Sequence, residues 1–204
     1  MVATGLMKRD GERLVFRNTL YEAIARSSPQ LQPEVAQDQG GQHLVAVTEA
    51  AFSFMADSQF REIAAAAHDG AASAYNQGHF RLGLIGFGVC LEAMLIDWLV
   101  RQNAGLAAAV EVAKNARPPD KANFDQRYEI EGDPSTWRLI NLMKVSRVMG
   151  GVRGPMSLPD SLRDMRNFVH PKLMKENYMQ ESALEPEARG ASALISAVKR
   201  DLTP

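Results

Sequence analysis

Along most of this chain apolar residues recur at the three- and four-residue spacing that gathers them on one side of an α-helix. The breaks between these runs are glycines, prolines and short polar side chains. From Gln59 to Asn76 an alanine-rich run predicts a helix. Asp57-Ser58 would open it, and Gln77-Gly78 would close it, because glycine readily takes the left-handed cap conformation. His79 to Gln102 is apolar on nearly every side, which predicts a buried helix. Its Gly83, Gly86 and Gly88 would let a neighbouring helix approach closely. Gly105 to Asn115 reads as a further helix, broken by Arg117-Pro118-Pro119-Asp120, with a charged loop from Lys121 to Asp133. Asp133-Pro134-Ser135 opens a helix through Trp137, Ile140, Leu142, Val145 and Val148, closed by Gly150-Gly151. Leu158-Pro159-Asp160 starts another, which ends at His170 because Pro171 disfavours helix in the residue before it. Pro186 begins a last helix through Leu194, Ile195, Val198 and Leu202.

The N-terminal part is patterned differently. Asp10-Gly11 is a hairpin signal, since both turn positions tolerate positive φ, and Glu12 to Phe16 can supply a second strand. Thr19 to Arg26 reads as a short helix. Pro33 suits the first turn of a helix through Val35, Leu44, Val47, Ala51, Phe54 and Met55, and Gly40-Gly41 moves its expected start to near Gln42. No alternation of strand and helix supports a parallel sheet. The expected class is all-α, a helical bundle of five to six main helices, compatible with a small N-terminal hairpin. Residues 1–57 read as an extension packed on the core, and residues 58–204 as the bundle.

Composition narrows the class. A chain of 204 residues can bury a substantial core unaided, and 46% hydrophobic against 23% charged residues is ordinary for a globular domain. The single cysteine, Cys90, cannot form an internal disulfide and sits in the most apolar stretch, so it reads as inert core. The N-terminus lacks a signal-peptide pattern. Leu82 to Val100 would place Glu92 and Asp97 in lipid if it spanned a membrane, so a buried core helix is the expected reading, in a cytoplasmic protein without membrane contact. Gly83 to Gly88 has no preceding strand and does not read as a phosphate loop. Glu62, His68, Asp69 and His79 have no metal-site spacing, and the histidines read as surface or capping residues. No cofactor and no metal is expected.

The chemistry concentrates in one segment. Turned at about 100° per residue, the helix from Leu158 to His170 places Leu158, Leu162, Met165 and Val169 on one side. Arg163, Arg166, Asn167 and His170 fall together on the other. An arginine pair can hold a phosphate in a fixed fork, and a histidine with a pKa near ~6.5 can move protons at neutral pH. Such a face can hold a phosphodiester and assist attack by the ribose 2′-hydroxyl without a metal. It can equally be architectural, with His170 bonded to a buried group and an arginine paired to Glu92 or Asp97. From Trp137 to Lys175 eight basic and two acidic side chains give a local charge of +6 in a chain of net charge −1. That is the footprint expected for a polyanion partner, and equally for basic side chains that pair with the acidic remainder of the chain.

Arg163-Asp164, followed six residues later by His170, resembles the arginine-to-histidine signature of the HEPN superfamily, with Asp164 in its polar position. Arg166-Asn167 is also similar to it, with a spacing one residue short, and either arginine can be the counterpart. Gly86 to Leu95 is similar to the apolar helix with a Leu-Glu step of many bacterial relatives, and the likeness covers roughly residues 60 to 200. The resemblance implies a dimerising helical bundle whose two motif helices face each other. It implies either a metal-independent endoribonuclease of a defence or toxin-antitoxin system or a non-catalytic dimerisation or ligand-binding module. In the first case Arg163 or Arg166 would stabilise the phosphate, His170 would act in acid-base catalysis or positioning, and Asn167 or Asp164 would orient them. The partners it implies are a second copy of the chain, RNA, and a cognate antitoxin or other protein.

Overall fold

The computed structural model describes residues 7–10, 13–16, 43–45, 47–102, 104–115, 130, 132–153 and 180–203. Two short strands, β1 (Met7–Asp10) and β2 (Arg13–Phe16), pair antiparallel, with Met7 opposite Phe16 and Asp10 opposite Arg13. Most of the rest of the described chain is helical, with α1 (Ser58–Asn76), α2 (Phe80–Arg101), α3 (Leu106–Asn115), α4 (Leu139–Val148) and α5 (Glu185–Leu202). The fold is therefore an all-α bundle. The expected helices at 19–26 and 158–170 and the loop at 121–129 lie outside the described residues.

α2 is the axis of the bundle. Fifteen of its residues are buried, and α1, α4 and α5 all pack against it. It is long and apolar enough to cross a membrane, yet its surface is covered by the other helices. Its closest partner is α1, and the reason is glycine. A Cβ on Gly86 would lie 2.8 Å from the Ala71 Cβ and 2.9 Å from the Ala67 carbonyl oxygen, and one on Gly83 would lie 3.3 Å from the Ala71 carbonyl. These absent side chains let the two backbones approach, as the glycine pattern predicts. Asp57 caps α1 by accepting from the Gln59 and Phe60 amides at 2.8 and 3.1 Å, and Gly78, at φ 79°, ends the turn after it. At the start of α2 the Arg81 amide donates to Glu181 at 3.0 Å, so the 3-10 turn before α5 (Glu181–Leu184) covers that end.

Two expected helices need correction. The helix expected from near Gln42 through Met55 is absent from its described part, where only a 3-10 turn forms over Glu49–Phe52. The Asn76 side chain accepts from the Leu44 amide at 2.9 Å and donates to the Leu44 carbonyl at 2.8 Å. This clamp occupies both backbone groups that a helix would use, and it comes from another part of the chain. Phe52 and Met55 still reach the core, fully buried. The second correction concerns the helix expected from Asp133. Pro134–Thr136 forms a 3-10 turn capped by Asp133, Trp137 and Arg138 are extended, and α4 begins only at Leu139. The interruption lets the Trp137 ring turn into the core.

Candidate functional site

The four residues singled out by the motif, Arg163, Arg166, Asn167 and His170, lie outside the described residues, as does Asp164. The described structure does show what surrounds the chain up to Arg153, ten residues before the motif begins.

There the C-terminal ends of α2 and α5 meet the turn that follows α4. They enclose a cleft of about 640 Å³ lined by Trp98, Arg101, Arg153, Arg200, Asp201 and Thr203, together with Gln102, Leu202 and the backbone of Gly150 and Gly151. A shallower concavity of about 480 Å³ continues along α5 past Ser196 and Lys199, sharing Arg200 and Thr203. Each part of the wall is fixed by a specific contact. Gly150 takes φ 78°, and the Trp98 ring packs so closely on Gly151 that a Cβ there would overlap it. The Arg153 amide donates to Asp201 Oδ2 at 2.8 Å, which ties the turn to α5. Arg101 pairs with Asp97 at 2.9 Å on its own helix. Arg153 and Arg200 are exposed and have no carboxylate partner among the described residues.

Asp97 is nearly fully buried. It accepts from the Asp57 amide at 2.8 Å and the Ala56 amide at 3.3 Å in addition to Arg101. It anchors the start of α1 to the central helix, so of the two carboxylates considered for a motif arginine this one has its own partners. Glu92 differs. It is the one position between Gly83 and Asp97 that is not fully buried. Its side chain keeps some accessible surface, but protein surrounds the carboxyl on most sides, and that desolvation pushes its pKa up to about 8.

His68 corrects an expectation. It is neither a surface nor a capping residue but lies buried between the Phe52 and Phe87 rings, with centroids at 6.2 and 5.7 Å. Its Nδ1 has no hydrogen-bond partner among the described residues. Burial, and then the nearby Lys199, lower its pKa, so the ring is held neutral. His79 does sit exposed at the start of α2. Cys90 is fully buried and its thiol pKa is raised by burial, which makes it an unreactive core residue as expected.

The cleft was not legible beforehand. Arg101 and Arg200 stand 99 positions apart at helix ends, and Gly150-Gly151 reads in sequence only as a helix stop. Its one forward signal was the basic excess after Trp137, to which Arg153 belongs. Chemically the cleft offers guanidiniums, an indole and backbone edges, a set suited to holding an oxyanion. No family model, curated protein or solved structure matches this chain.

Proposed function

We propose that this protein is a HEPN-like domain that cleaves RNA as a metal-independent endoribonuclease, working in the cytoplasm as a homodimer in a defence or toxin-antitoxin type system with a cognate protein partner. The observation that carries the reading is the sequence spacing of Arg163, Arg166, Asn167 and His170, which on a helix would gather two guanidiniums, an amide and an imidazole on one face opposite an apolar stripe. The all-α bundle around a central apolar helix is the architecture that the resemblance implies, and the positive charge upstream of the motif suits a polyanionic substrate.

In this reading an arginine binds the scissile phosphate and stabilises the charge that develops on it. His170 takes the proton of the ribose 2′-hydroxyl as its oxygen attacks phosphorus. The P–O5′ bond breaks and the leaving oxygen is protonated. The products are a 2′,3′-cyclic phosphate and a 5′-hydroxyl end. The test is incubation of the full-length protein with mixed RNA, with and without a chelator. Cleavage should survive chelation, give those end groups and vanish in His170→Ala. A folded dimer that cuts no RNA under any condition would overturn the proposal.

A second reading, a non-catalytic helical dimerisation or ligand-binding module, is favoured by the arginine-lined cleft, which can bind without chemistry. It predicts that His170→Ala lowers the melting temperature clearly, because a buried hydrogen-bonded group is lost, while no RNA is cut.

A further inference from the structure

We propose that residues 47–57 form a pH-operated latch, in which protonation of the buried His68 expels Phe52 and lifts the Glu49–Phe52 turn off the bundle while the helices stay folded. The latch does not depend on how the motif residues act.

This strap is firm at its ends and weak in its middle. Upstream, Asn76 grips both backbone groups of Leu44, and at the start of α1 Asp97 accepts from the Ala56 and Asp57 amides. Between these anchors the backbone bonds are local. Ala51 donates to Thr48, Ser53 to Ala50 and Met55 to Phe52, and none of these amides reaches a helix among the described residues. The Glu49–Arg61 pair at 3.0 Å is exposed on both sides, so it contributes little. The turn is therefore held down by the burial of one ring, Phe52. Few tertiary bonds between two fixed points is the make-up of a segment that opens by itself.

The ring that holds the turn rests on a titratable group. His68, on α1, lies edge-on to Phe52 at 6.2 Å and to Phe87 of α2 at 5.7 Å. It is buried, and its Nδ1 has no hydrogen-bond partner among the described residues. An apolar wall of two phenyl rings accommodates a neutral imidazole and gives an imidazolium nothing in place of water.

The charges around the site act in the same direction. From α5 the Lys199 ammonium lies over the Phe52 ring, 5.2 Å from its centroid, and it opposes a second cation on His68. A phenyl face can hold a cation, but that of Phe52 already holds Lys199. On α2 the Cys90 thiol is kept neutral by burial. On the strap Glu49 is paired with Arg61. Only Asp69, the next residue on α1, favours the charged ring, and its effect is smaller than those of burial and Lys199. A proton on His68 therefore needs water. Phe87 belongs to the central helix, whereas Phe52 sits on the weakly held turn, so water enters on the side of Phe52.

Hydrogen–deuterium exchange of the full-length protein across pH 5 to 8, corrected for the intrinsic exchange rate at each pH, tests this. Below the ordinary histidine value of 6.5, protection of the Ala51, Ser53 and Met55 amides should fall by about tenfold per pH unit, the signature of one proton taken up on opening. Amides in the middle of α2 should keep their protection. His68→Phe retains an aromatic ring and removes the titration, so its strap should stay protected throughout. Lys199→Met, at a half-buried position on α5, removes the opposing charge and should move opening to lower pH; this variant leaves the packed rings intact and serves even where His68→Phe does not fold. A strap whose protection is independent of pH would overturn the proposal. So would loss of protection in α2 in step with the strap, which is unfolding of the whole bundle. Acid opening in His68→Phe that matches the parent, or an opening pH that Lys199→Met leaves unchanged or raises, would do the same.

Discussion

At the scale of single residues, two desolvated titratable groups, Glu92 on α2 and His68 on α1, set how the protein responds to pH. The Glu92 pKa of about 8 in the fold lies above its unfolded value of 4.5. The folded chain therefore holds an extra proton between these values. The associated stability is complete below the unfolded value, declines as pH rises and is lost above about 8. His68 acts in the opposite sense. Its pKa is lowered from 6.5, so its contribution is present above that value and is lost as pH falls below it. Urea unfolding midpoints across pH 5 to 8 should show Glu92→Gln holding its stability where the parent declines. Parallel curves for the two proteins would refute this account. Asp97 makes a different prediction. Replacing it with alanine leaves two backbone amides without their acceptor and should cost about 2–4 kcal/mol in urea unfolding, with Asp97→Asn milder because one carbonyl oxygen can still accept.

At the scale of elements, the contact between α1 and α2 depends on what is missing. At Gly86 an added methyl meets the Ala71 side chain and the Ala67 carbonyl, so Gly86→Ala should overpack the interface and destabilise by about 1–3 kcal/mol. Gly78 is the useful contrast. No atom lies within 4 Å of a Cβ there, but its φ is 79°, so Gly78→Ala should cost about 1 kcal/mol through backbone strain alone. Thermal melts that show no difference between Gly86→Ala and the parent would mean that the helices can shift apart freely. The element boundaries that sequence patterning anticipates correctly are those closed by local signals, such as Asp57 capping α1 and Gly78 ending its last turn. The boundaries it misses were set from a distance. Asn76 clamps Leu44 out of helix, and burial of Trp137 delays the start of α4.

At the scale of the whole molecule, a dimeric nuclease predicts a sedimentation mass twice that of the chain. A monomer at micromolar concentration would count against the two facing motif helices that the resemblance implies. The amino-acid pattern alone determined the all-α class, the buried central helix and its close-packing glycines. It also singled out Arg163, Arg166, Asn167 and His170 as the candidate residues for chemistry, which lie outside the described residues. These are local properties, because periodicity, capping and glycine content act within a few residues of themselves. Only the tertiary structure decided the rest. It placed His68 between two rings, gave Asp97 its anchoring partners, and assembled an arginine-lined cleft from three helix ends. Such placements depend on which distant surfaces meet. Trp98 rests on Gly151, and Arg153 meets Asp201 from 48 residues away, and no pattern read within one helix encodes either encounter.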